Sequence, residues 1–386
     1  MKIAIVLGTR PEAIKLAPVA RRFLEVPQEF ETRVIVTAQH RGLLDQTLQA
    51  FALVPDYDLD VMRPGQTLAE STSRIIAALD PVLVKEAPDL VIVQGDTTTT
   101  FCGALGAFYR GAPVAHVEAG LRSGDFRQPF PEEMNRVLAT QLARLHFAST
   151  EAAAENLLRE GVAPDRVLVT GNTGIDALLE TRDALASGRL RAEGLAAPDT
   201  GKKLILVTAH RRESFGEGFD GICEALARLA ARGDVQIVYP VHPNPEVRAV
   251  VERRLGGIAA IRLIEPLSYV PFVDLMRRAR VLLTDSGGIQ EEAPSLGKPV
   301  LVLREKTERP EAVAAGAARL TGTDPARIVA ETSLLLDDAA EYARRARVRH
   351  IYGGGRAATL IRDAVRAYFA MGYPSESART ASSASP

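Results

Sequence analysis

Residues 3–12 read IAIVLGTRPE, and this stretch decides the fold class of the chain. Its first five residues are apolar, with no alternation of polar side chains, which predicts a strand that is buried on both faces. Gly8 then breaks the strand, and Pro11 suits the first turn of a helix. A buried strand that passes directly into a helix is typical of a parallel α/β sheet.

The same alternation of buried strands and amphipathic helices continues in two series. The predicted strands are Ile3–Leu7, Arg33–Thr37, Leu90–Val93, Val114–Val117, Leu145–Ala148 and Val167–Thr170 in the first series, and Leu204–Thr208, Gln236–Tyr239, Ile261–Ile264, Val281–Thr284 and Val300–Leu303 in the second. The predicted helices include Glu12–Leu24, Leu68–Glu86 and Glu132–Ala143. We therefore expect an α/β protein with two Rossmann-type, doubly wound domains and a cleft between them.

The segment Thr181–Gly201 holds few large apolar residues, so we expect it to be connecting structure between the domains. Residues 1–173 are assigned to an N-terminal domain and residues 174–355 to a C-terminal nucleotide-binding domain. An amphipathic helix is predicted at Ala357–Met371, and the region of about 356–372 is expected to pack back on the first domain. The Ser/Ala-rich residues 375–386 are expected to be a disordered tail.

Composition favours a globular protein and narrows the classes of partner. The chain has 386 residues, of which 46% are hydrophobic and 25% charged, and its formal net charge is −1. This balance gives no basic field to recruit nucleic acid or an anionic membrane, so neither is expected as a partner. Two cysteines cannot build a disulfide framework, and no apolar run reaches membrane-spanning length, so we expect a cytoplasmic protein.

Charged side chains follow several strand ends, which is where open α/β sheets bind ligands. Arg10 and Lys15 lie near a predicted helix N-terminus, where cations are unfavourable unless an anion is bound. We favour a bound anion there over a turn with solvated bases.

Four carboxylates are expected to face the cleft: Asp96 and Glu118 at strand ends, and Glu132 and Glu133 at the start of a helix. Each has a structural alternative, since Asp96 is suited to capping a helix and acids are favourable in a first helical turn. Glu118 is harder to explain in this way, because a carboxylate in an apolar strand end needs partners. The group as a whole predicts a general acid–base centre.

The second series carries the most specific local signal, TDSGGIQEE at 284–292. A Ser-Gly-Gly turn that opens a helix lets backbone N–H groups approach phosphate oxygens, and Glu292 is placed about one turn later to receive ribose hydroxyls. This pattern predicts a site for a nucleoside diphosphate. His210 follows another strand end and is either a ligand-facing side chain or a structural histidine. Arg304–Glu311 follows a further strand end and is suited to supply cations to the cleft.

Several common motifs are missing from the sequence. The turn at 284–292 is neither a Walker loop nor a G-x-G-x-x-G, and the sequence has no zinc-type Cys/His spacing and no G-x-S-x-G elbow. The sequence therefore favours neither an ATPase nor a dinucleotide-dependent enzyme, and it predicts neither a metal site nor a serine hydrolase.

Six motifs, taken together and in order, resemble those of the bacterial non-hydrolysing UDP-N-acetylglucosamine 2-epimerases. They are GTRPE at 8–12, QGDT at 94–97, HVEAGLR at 116–122, PEE at 131–133, TAHRRE at 208–213 and DSGG at 285–288. The likeness runs from about residue 1 to about residue 370. It implies a GT-B-like fold that closes on a nucleotide sugar, a homodimer and the absence of a nicotinamide cofactor.

The resemblance implies reversible conversion of UDP-GlcNAc to UDP-ManNAc for surface polysaccharide precursors. Epimerisation at C2 would proceed by anti-elimination of UDP to 2-acetamidoglucal and re-addition. One alternative is the hydrolysing 2-epimerase, which releases UDP and ManNAc. A GT-B glycosyltransferase is more distant, and a non-catalytic nucleotide-sugar sensor would not need the acid–base set.

The resemblance also assigns roles to residues at matching positions. The implied acid–base set is Asp96, Glu118 and Glu132, with His210 stabilising the leaving UDP. The implied nucleotide-sugar residues are Arg10, Lys15, Arg136, Phe272 near the uracil, Ser286, Gly287, Gly288, Glu292 and Arg309. Many members bind a second UDP-GlcNAc as activator, and the matching residues here are Gln39, His40 and Arg211.

We predict weak or absent activation by UDP-GlcNAc. Gly42 and Gly65 stand where activator-binding members often carry Gln and Arg, and losing a guanidinium–phosphate hydrogen bond costs about 1.5–3 kcal/mol. UDP-ManNAc should therefore react without added UDP-GlcNAc, which a coupled assay of initial rates would measure. A reaction that starts only after UDP-GlcNAc is added would contradict this prediction.

Overall fold

The computed structural model describes residues 1–38, 41–194, 199, 201–211 and 216–372, with only the backbone of residues 41 and 43. Two compact units make up the chain. The first comprises Met1–Ala177 and the segment that starts at Tyr352, and the second comprises Leu178–Ile351.

The first unit is built on a parallel seven-stranded sheet with the order β3-β2-β1-β4-β5-β6-β7. Its strands are β1 Lys2–Leu7, β2 Glu31–Val36, β3 Tyr57–Asp58, β4 Leu90–Gln94, β5 Val114–Ala119, β6 Leu145–Ala148 and β7 Val167–Val169. Its helices are α1 Arg10–Leu24, α2 Arg41–Ala50, α3 Leu68–Glu86, α4 Thr98–Tyr109, α5 Glu132–Leu142, α6 Glu151–Arg159 and the first residues of α7 Thr173–Ala186. The central strands β1, β4 and β5 are almost wholly buried, because helices cover both faces of the sheet.

The second unit repeats this plan with a parallel six-stranded sheet of order β10-β9-β8-β11-β12-β13. Its strands are β8 Lys203–Thr208, β9 Val235–Pro240, β10 Ile261–Ile264, β11 Val281–Thr284, β12 Val300–Val302 and β13 Ala318–Leu320. Its helices are α8 Glu217–Ala230, α9 Pro245–Leu255, α10 Tyr269–Arg278, α11 Gly287–Ser295, α12 Pro310–Ala314, α13 Pro325–Asp337 and α14 Ala339–Arg345. In each sheet the order of the strands reverses beside the strand that comes first in the chain, β1 or β8. This is the switch point where Rossmann-type folds bind nucleotides. The predicted fold class of two doubly wound α/β domains is confirmed.

The last described helix, α15 Ala357–Ala370, belongs to the first unit. Its first turn is held by Asp176, whose carboxylate accepts the backbone N–H groups of Ala357 at 3.2 Å and Ala358 at 3.0 Å. The predicted helix at Ala357–Met371 is therefore present and one residue shorter. Residues 375–386, predicted to be a tail, lie outside the described residues.

One prediction about the connection between the domains is wrong in part. Thr181–Gly201 was expected to be connecting structure, but residues 181–186 form the last turns of α7. Thr181 and Ala184 are buried there, so the buried face of this part of the helix is made of small side chains. The short strands β3 and β13 were not predicted.

None of the helices in the described ranges is long and apolar enough to cross a membrane.

Candidate active site

Three carboxylates lie at the carboxyl edge of the first sheet. Asp96 follows β4, Glu118 lies near the end of the adjacent parallel strand β5, and Glu132 is the first residue of α5. Both Glu118 and Glu132 act electrostatically on Asp96, so the three form one cluster. The sequence prediction that strand ends would bring these acids together rested on this edge geometry.

Glu118 has an unusual backbone. Its φ is +62°, and the register between β5 and β6 shifts between Val117 and Ala119, so Glu118 is the extra residue of a β-bulge. A left-handed conformation in a non-glycine residue costs about 1–3 kcal/mol and is common at functional sites. Bulges of this kind re-aim a side chain next to active sites.

The Glu118 carboxylate is held by two partners. Lys15 of α1 donates to both of its oxygens, at 2.7 and 2.6 Å, and Gln94 at the end of β4 donates to Oε2. Only 7% of the side chain is exposed. The Glu118 side chain therefore has a fixed orientation, and its contacts satisfy the need for partners inferred from the sequence.

Gly120 allows the chain to turn immediately after the bulge. Its φ is +90°, and a Cβ atom added there would lie 2.1 Å from the carbonyl oxygen of Ala153 in α6. Only glycine accommodates both the positive φ and the close carbonyl oxygen, which explains why a glycine lies two residues after Glu118.

Asp96 does not cap the following helix. Thr97 takes that position, and its hydroxyl accepts the backbone N–H of Thr100 at 3.1 Å. The carbonyl of Asp96 is instead fixed by Asn135 at 3.0 Å, and its carboxylate lies 3.3 Å from the Arg136 guanidinium. The interpretation of Asp96 as a helix cap is therefore wrong, and its carboxylate is available for acid–base chemistry.

The pKa of Asp96 is raised to about 6, mainly because burial disfavours its charged form. The positive charges of Arg136 and Lys15 oppose this rise, whereas the negative charges of Glu118 and Glu132 add to it. A carboxyl group that titrates near neutrality can both accept and donate a proton, which suits general acid–base chemistry.

Glu132 and Glu133 are neighbours with different roles. The Glu133 side chain is 1% exposed and accepts the backbone N–H groups of Ser123 and Gly124, each at 3.0 Å. It also lies 3.3 Å from Arg136. Glu133 therefore anchors the loop after β5 and does not join the cluster. The prediction of four clustered acids is therefore wrong for Glu133. Glu132 is half-buried and remains part of the cluster.

The N-terminus of α1 already has an anion of the protein. Buried Glu12 accepts the N–H groups of Gly8 at 3.0 Å and Thr9 at 2.7 Å, and burial raises the pKa of its carboxyl group. Lys15 is paired with Glu118. The helix-dipole argument for a bound anion near Arg10 and Lys15 is therefore unnecessary, although Arg10 does begin α1 as expected.

His116 supports the cluster from within the sheet. Its ring is fully buried, and Nε2 lies 2.7 Å from the carbonyl oxygen of Gly95, the residue before Asp96. Burial lowers the pKa of His116 to about 4, so the ring is neutral at neutral pH and donates its Nε2 proton to that carbonyl.

The second unit has a helix N-terminus that is suited to binding an anion. Helix α11 begins at Gly287, its first turn holds no acid, and the Ser286 side chain makes no capping hydrogen bond. The first N–H groups of a helix have no partner within it, so this end is suited to a phosphate. A Cβ atom added at Gly287 or Gly288 would have its nearest neighbour at 3.9 or 4.0 Å, so packing within the protein does not require these glycines.

Arg309, which the sequence analysis predicted to contact the nucleotide sugar, borders this helix end. Its guanidinium is ion-paired with Glu291 of α11, and its Nη2 is the atom 3.9 Å from the added Cβ at Gly287. Arg304, in the segment expected to supply cations, is instead 8% exposed and bonded to Glu308 at 2.8 and 3.0 Å. Arg309 is therefore the better placed of the two to meet a phosphate.

His210 lies just beyond β8, with 39% of its side chain exposed. Its ring stacks on that of His242, with centroids 5.0 Å apart and planes 8° apart. The backbone N–H groups of His210 and Arg211 both donate to buried Asp285.

The remaining predicted residues have simpler placements. Phe272 and Glu292 are half-buried on α10 and α11 of the second unit. Gln39 and His40, predicted for the activator site, lie outside the described residues. Gly65 has a φ of +71°, a conformation that favours glycine over the arginine of activator-binding members.

Sequence reasoning missed five supporting residues: Glu12, Gln94, Asn135, His242 and Asp285. Glu12, Gln94 and Asp285 lie within the six family motifs, so the motifs themselves were a signal for these three residues. Asn135 and His242 lie outside the motifs. The contacts of these five residues are created by the fold or are made with backbone N–H groups. Neither kind of contact can be inferred from the spacing of residues in the sequence. In the described part of the chain, no group of three or more His, Cys, Asp or Glu side chains is arranged to hold a metal ion.

We predict that replacing Arg136 by methionine raises the pKa of Asp96 above its value of about 6. The guanidinium 3.3 Å away favours the charged carboxylate, so removing it favours the protonated form. NMR titration of the ¹³C-labelled carboxyl group would measure both midpoints. Arg159→Met, on α6, serves as the control and should leave the midpoint unchanged. A wild-type midpoint near 4, or equal shifts in both variants, would contradict the prediction.

Comparison with known proteins places this geometry in a family. The family model described as UDP-N-acetylglucosamine 2-epimerase matches residues 23–366. The UDP-N-acetylglucosamine 2-epimerase of Escherichia coli K12 is 56% identical over 372 residues, which cover 95% of this chain and 98% of that protein.

Solved structures agree with this assignment. The UDP-GlcNAc 2-epimerase of Neisseria meningitidis, bound to UDP-GlcNAc, is 45% identical with a TM-score of 0.87, over 95% of this chain and 99% of that one. That of Methanocaldococcus jannaschii, in complex with UDP-GlcNAc and UDP, is 33% identical with a TM-score of 0.76, over 95% and 99%. The two-domain, GT-B-like architecture is shared with these proteins, and the chain belongs to the UDP-N-acetylglucosamine 2-epimerase family.

Proposed function

We propose that this protein interconverts UDP-GlcNAc and UDP-ManNAc by reversible, non-hydrolysing epimerisation at C2. The observation that carries the proposal is the cluster of Asp96, Glu118 and Glu132, in which Asp96 titrates near neutrality. The epimerase names of its relatives and the UDP-GlcNAc bound by the Neisseria protein support the choice of substrate. The product would supply surface polysaccharide precursors.

The chemistry explains why several acids are needed. The hydrogen on C2 is not next to a carbonyl group, so simple enolisation cannot remove it. Departure of UDP breaks the C1–O bond, its electron pair leaves with the diphosphate, and a carboxylate takes the C2 proton as the C1–C2 double bond of 2-acetamidoglucal forms. In the return step a diphosphate oxygen attacks C1, and an acid delivers a proton to the opposite face of C2.

We assign the sugar chemistry to the first unit. Asp96 is one of the two proton-transfer groups, because a group with a pKa of about 6 exchanges a proton readily in both directions. Glu118, oriented by Lys15 and Gln94, and Glu132 supply the remaining carboxylates. A glycosyltransferase would not need three acids around one carbon.

The nucleotide is assigned to residues of the second unit. The N–H groups at the start of α11 and the Arg309 guanidinium would bind the diphosphate, with His210 stabilising the charge that develops when it leaves. Glu292 would receive the ribose hydroxyls and Phe272 would contact the uracil. Arg10 and Arg136 are proposed as further substrate contacts from the first unit.

The homodimer implied by the family stays a prediction, and a second copy of this chain is the proposed partner. Large apolar side chains are exposed on and beside α5: Phe126 by 52%, Phe130 by 65%, Met134 by 38% and Leu138 by 37%. Met134 and Leu138 are four residues apart and share one face of the helix. Contiguous exposed apolar surface is typical of a subunit interface.

Replacing Gly288 by alanine should weaken UDP binding without loss of stability. The added methyl group meets no protein atom closer than 4.0 Å, and alanine favours a helix by about 0.5–1 kcal/mol over glycine. The methyl group would, however, obstruct a phosphate at the helix end. We expect the UDP dissociation constant to rise about 10-fold or more in calorimetry, with an unchanged or higher melting temperature. Unchanged affinity would remove α11 from the proposed nucleotide site.

The deciding experiment is ¹H NMR of UDP-GlcNAc incubated with the purified protein in D₂O. We expect UDP-ManNAc with deuterium at C2, and both nucleotide sugars at equilibrium. Asp96→Asn should slow this conversion by about 10²–10⁴-fold, the usual contribution of a general acid or base. Asp363→Asn is the control, since Asp363 is an exposed carboxylate paired with Arg366 on α15.

Each of the other possible results would indicate a different function or a different catalytic group. Accumulation of free ManNAc and UDP would make it a hydrolysing 2-epimerase. Unchanged spectra from both nucleotide sugars, with binding confirmed, would leave a nucleotide-sugar sensor. Equal rates for Asp96→Asn and wild type would separate the activity from the proposed acid–base cluster.

A further inference from the structure

Asp285 is the most deeply buried carboxylate of the second unit that the proposed chemistry does not use. It follows β11, which pairs in parallel register with β8, so it lies beside the residues that follow β8. Its exposure is 0%. A buried carboxylate is costly unless each oxygen has a partner, so the contacts of both oxygens need an explanation.

One oxygen has a clear structural role. Oδ2 accepts the backbone N–H of His210 at 2.6 Å and that of Arg211 at 2.7 Å. On the other side, the hydroxyl of buried Tyr239 donates to the carbonyl of Ala209 at 2.6 Å. The backbone around His210 is therefore held from both directions.

The other oxygen points to the His210 ring. Among the described residues Oδ1 has no hydrogen bond that meets normal geometry, and Nδ1 of His210 lies 3.4 Å away. A proton on Nδ1 would give this buried oxygen a donor. The ring would then present Nε2 as its outward nitrogen, because the two nitrogens lie on opposite sides of the ring.

The stacked neighbour His242 is the neutral member of the pair. Its Nδ1 accepts the backbone N–H of Asn244 at 3.2 Å, and a ring nitrogen that accepts carries no proton. Burial and the nearby His210 both lower the pKa of His242. Its flat ring, 5.0 Å from that of His210, limits rotation of the His210 ring.

We propose that Asp285 is the positioning residue for His210, fixing its backbone, its Nδ1-protonated form and the direction of Nε2. This inference rests on the proposed function, in which His210 stabilises the leaving diphosphate. A carboxylate behind an imidazole stabilises the protonated ring and orients it, as in hydrolase triads. Asp285 would thus act on the substrate only through His210.

The tests use Asp285→Asn and a matched control. The asparagine oxygen can still accept the two backbone N–H groups, but its amide nitrogen would donate to Nδ1 and force the other tautomer. Asp176→Asn is the control, because buried Asp176 also accepts two consecutive backbone N–H groups. Asp176 lies on α7 and is not part of the proposed catalytic or binding groups.

The kinetic test is a double-mutant cycle with UDP-GlcNAc as substrate. Asp285→Asn should lower kcat at least about 10-fold with little change in KM, and it should have no further effect in a His210→Asn background. Asp176→Asn should leave kcat unchanged. Additive effects of the two substitutions, or an equal loss of kcat in Asp176→Asn, would overturn the proposal.

A spectroscopic test separates this inference from the proposed function. Long-range ¹H–¹⁵N correlation spectra of ¹⁵N-histidine protein distinguish the tautomers, and His210→Asn assigns the signals. We expect Nδ1 of His210 to be protonated in wild type and in Asp176→Asn, and unprotonated in Asp285→Asn. An unprotonated Nδ1 in wild type would refute the role of Asp285 even if the enzyme is active. Absence of epimerisation with the expected spectra would instead refute the proposed function alone.

Discussion

The ion pair between Lys15 and Glu118 is the interaction on which the acid–base cluster depends. Glu118 sits in a strained left-handed bulge within a buried strand, where an unpaired carboxylate would be very unfavourable. Lys15 reaches it from the helix that follows β1, because β1 and β5 flank β4 in the sheet. The ordering β1-β4-β5 is therefore the reason that the helix continuing from the first motif meets the third motif.

That pair also sets the electrostatics of its neighbour. Glu118 raises the pKa of Asp96 by repulsion, while Lys15 and Arg136 lower it, and desolvation outweighs them all. Burial has the largest effect, and it leaves the pKa of the Asp96 carboxyl group raised to about 6. A site with a larger excess of cations would lose the protonated form, and one with fewer would lose the carboxylate.

Much of this arrangement was predictable from the sequence, for identifiable reasons. Continuous apolar runs such as Ile3–Leu7 predict buried parallel strands, and parallel strands bring the residues after their carboxyl ends to one edge of the sheet. The bulge at Glu118 was not predictable, because a backbone irregularity leaves no trace in hydrophobic periodicity. Nor was the last part of α7, whose buried face is made of Thr181 and Ala184 rather than large apolar residues. The partner of each carboxylate also depends on contacts that only the fold creates.

The buried acids of this protein divide according to how they are satisfied. Glu12, Glu133 and Asp176 each accept two backbone N–H groups from neighbouring residues, which stabilises the charge with groups that cannot move or titrate. Asp96 and Glu118 are instead held by cationic or amide side chains.

Residue type does not separate the two classes, since Glu132 and Glu133 are adjacent and identical. Hydrogen bonding to the backbone does separate them, because two fixed N–H groups hold a carboxyl group in one position, which is suited to structure rather than to proton transfer. Asp285 belongs to the first class through Oδ2 and keeps Oδ1 for a histidine. That division of its two oxygens is the physical reason to place it behind His210 rather than among the groups that exchange protons with the sugar.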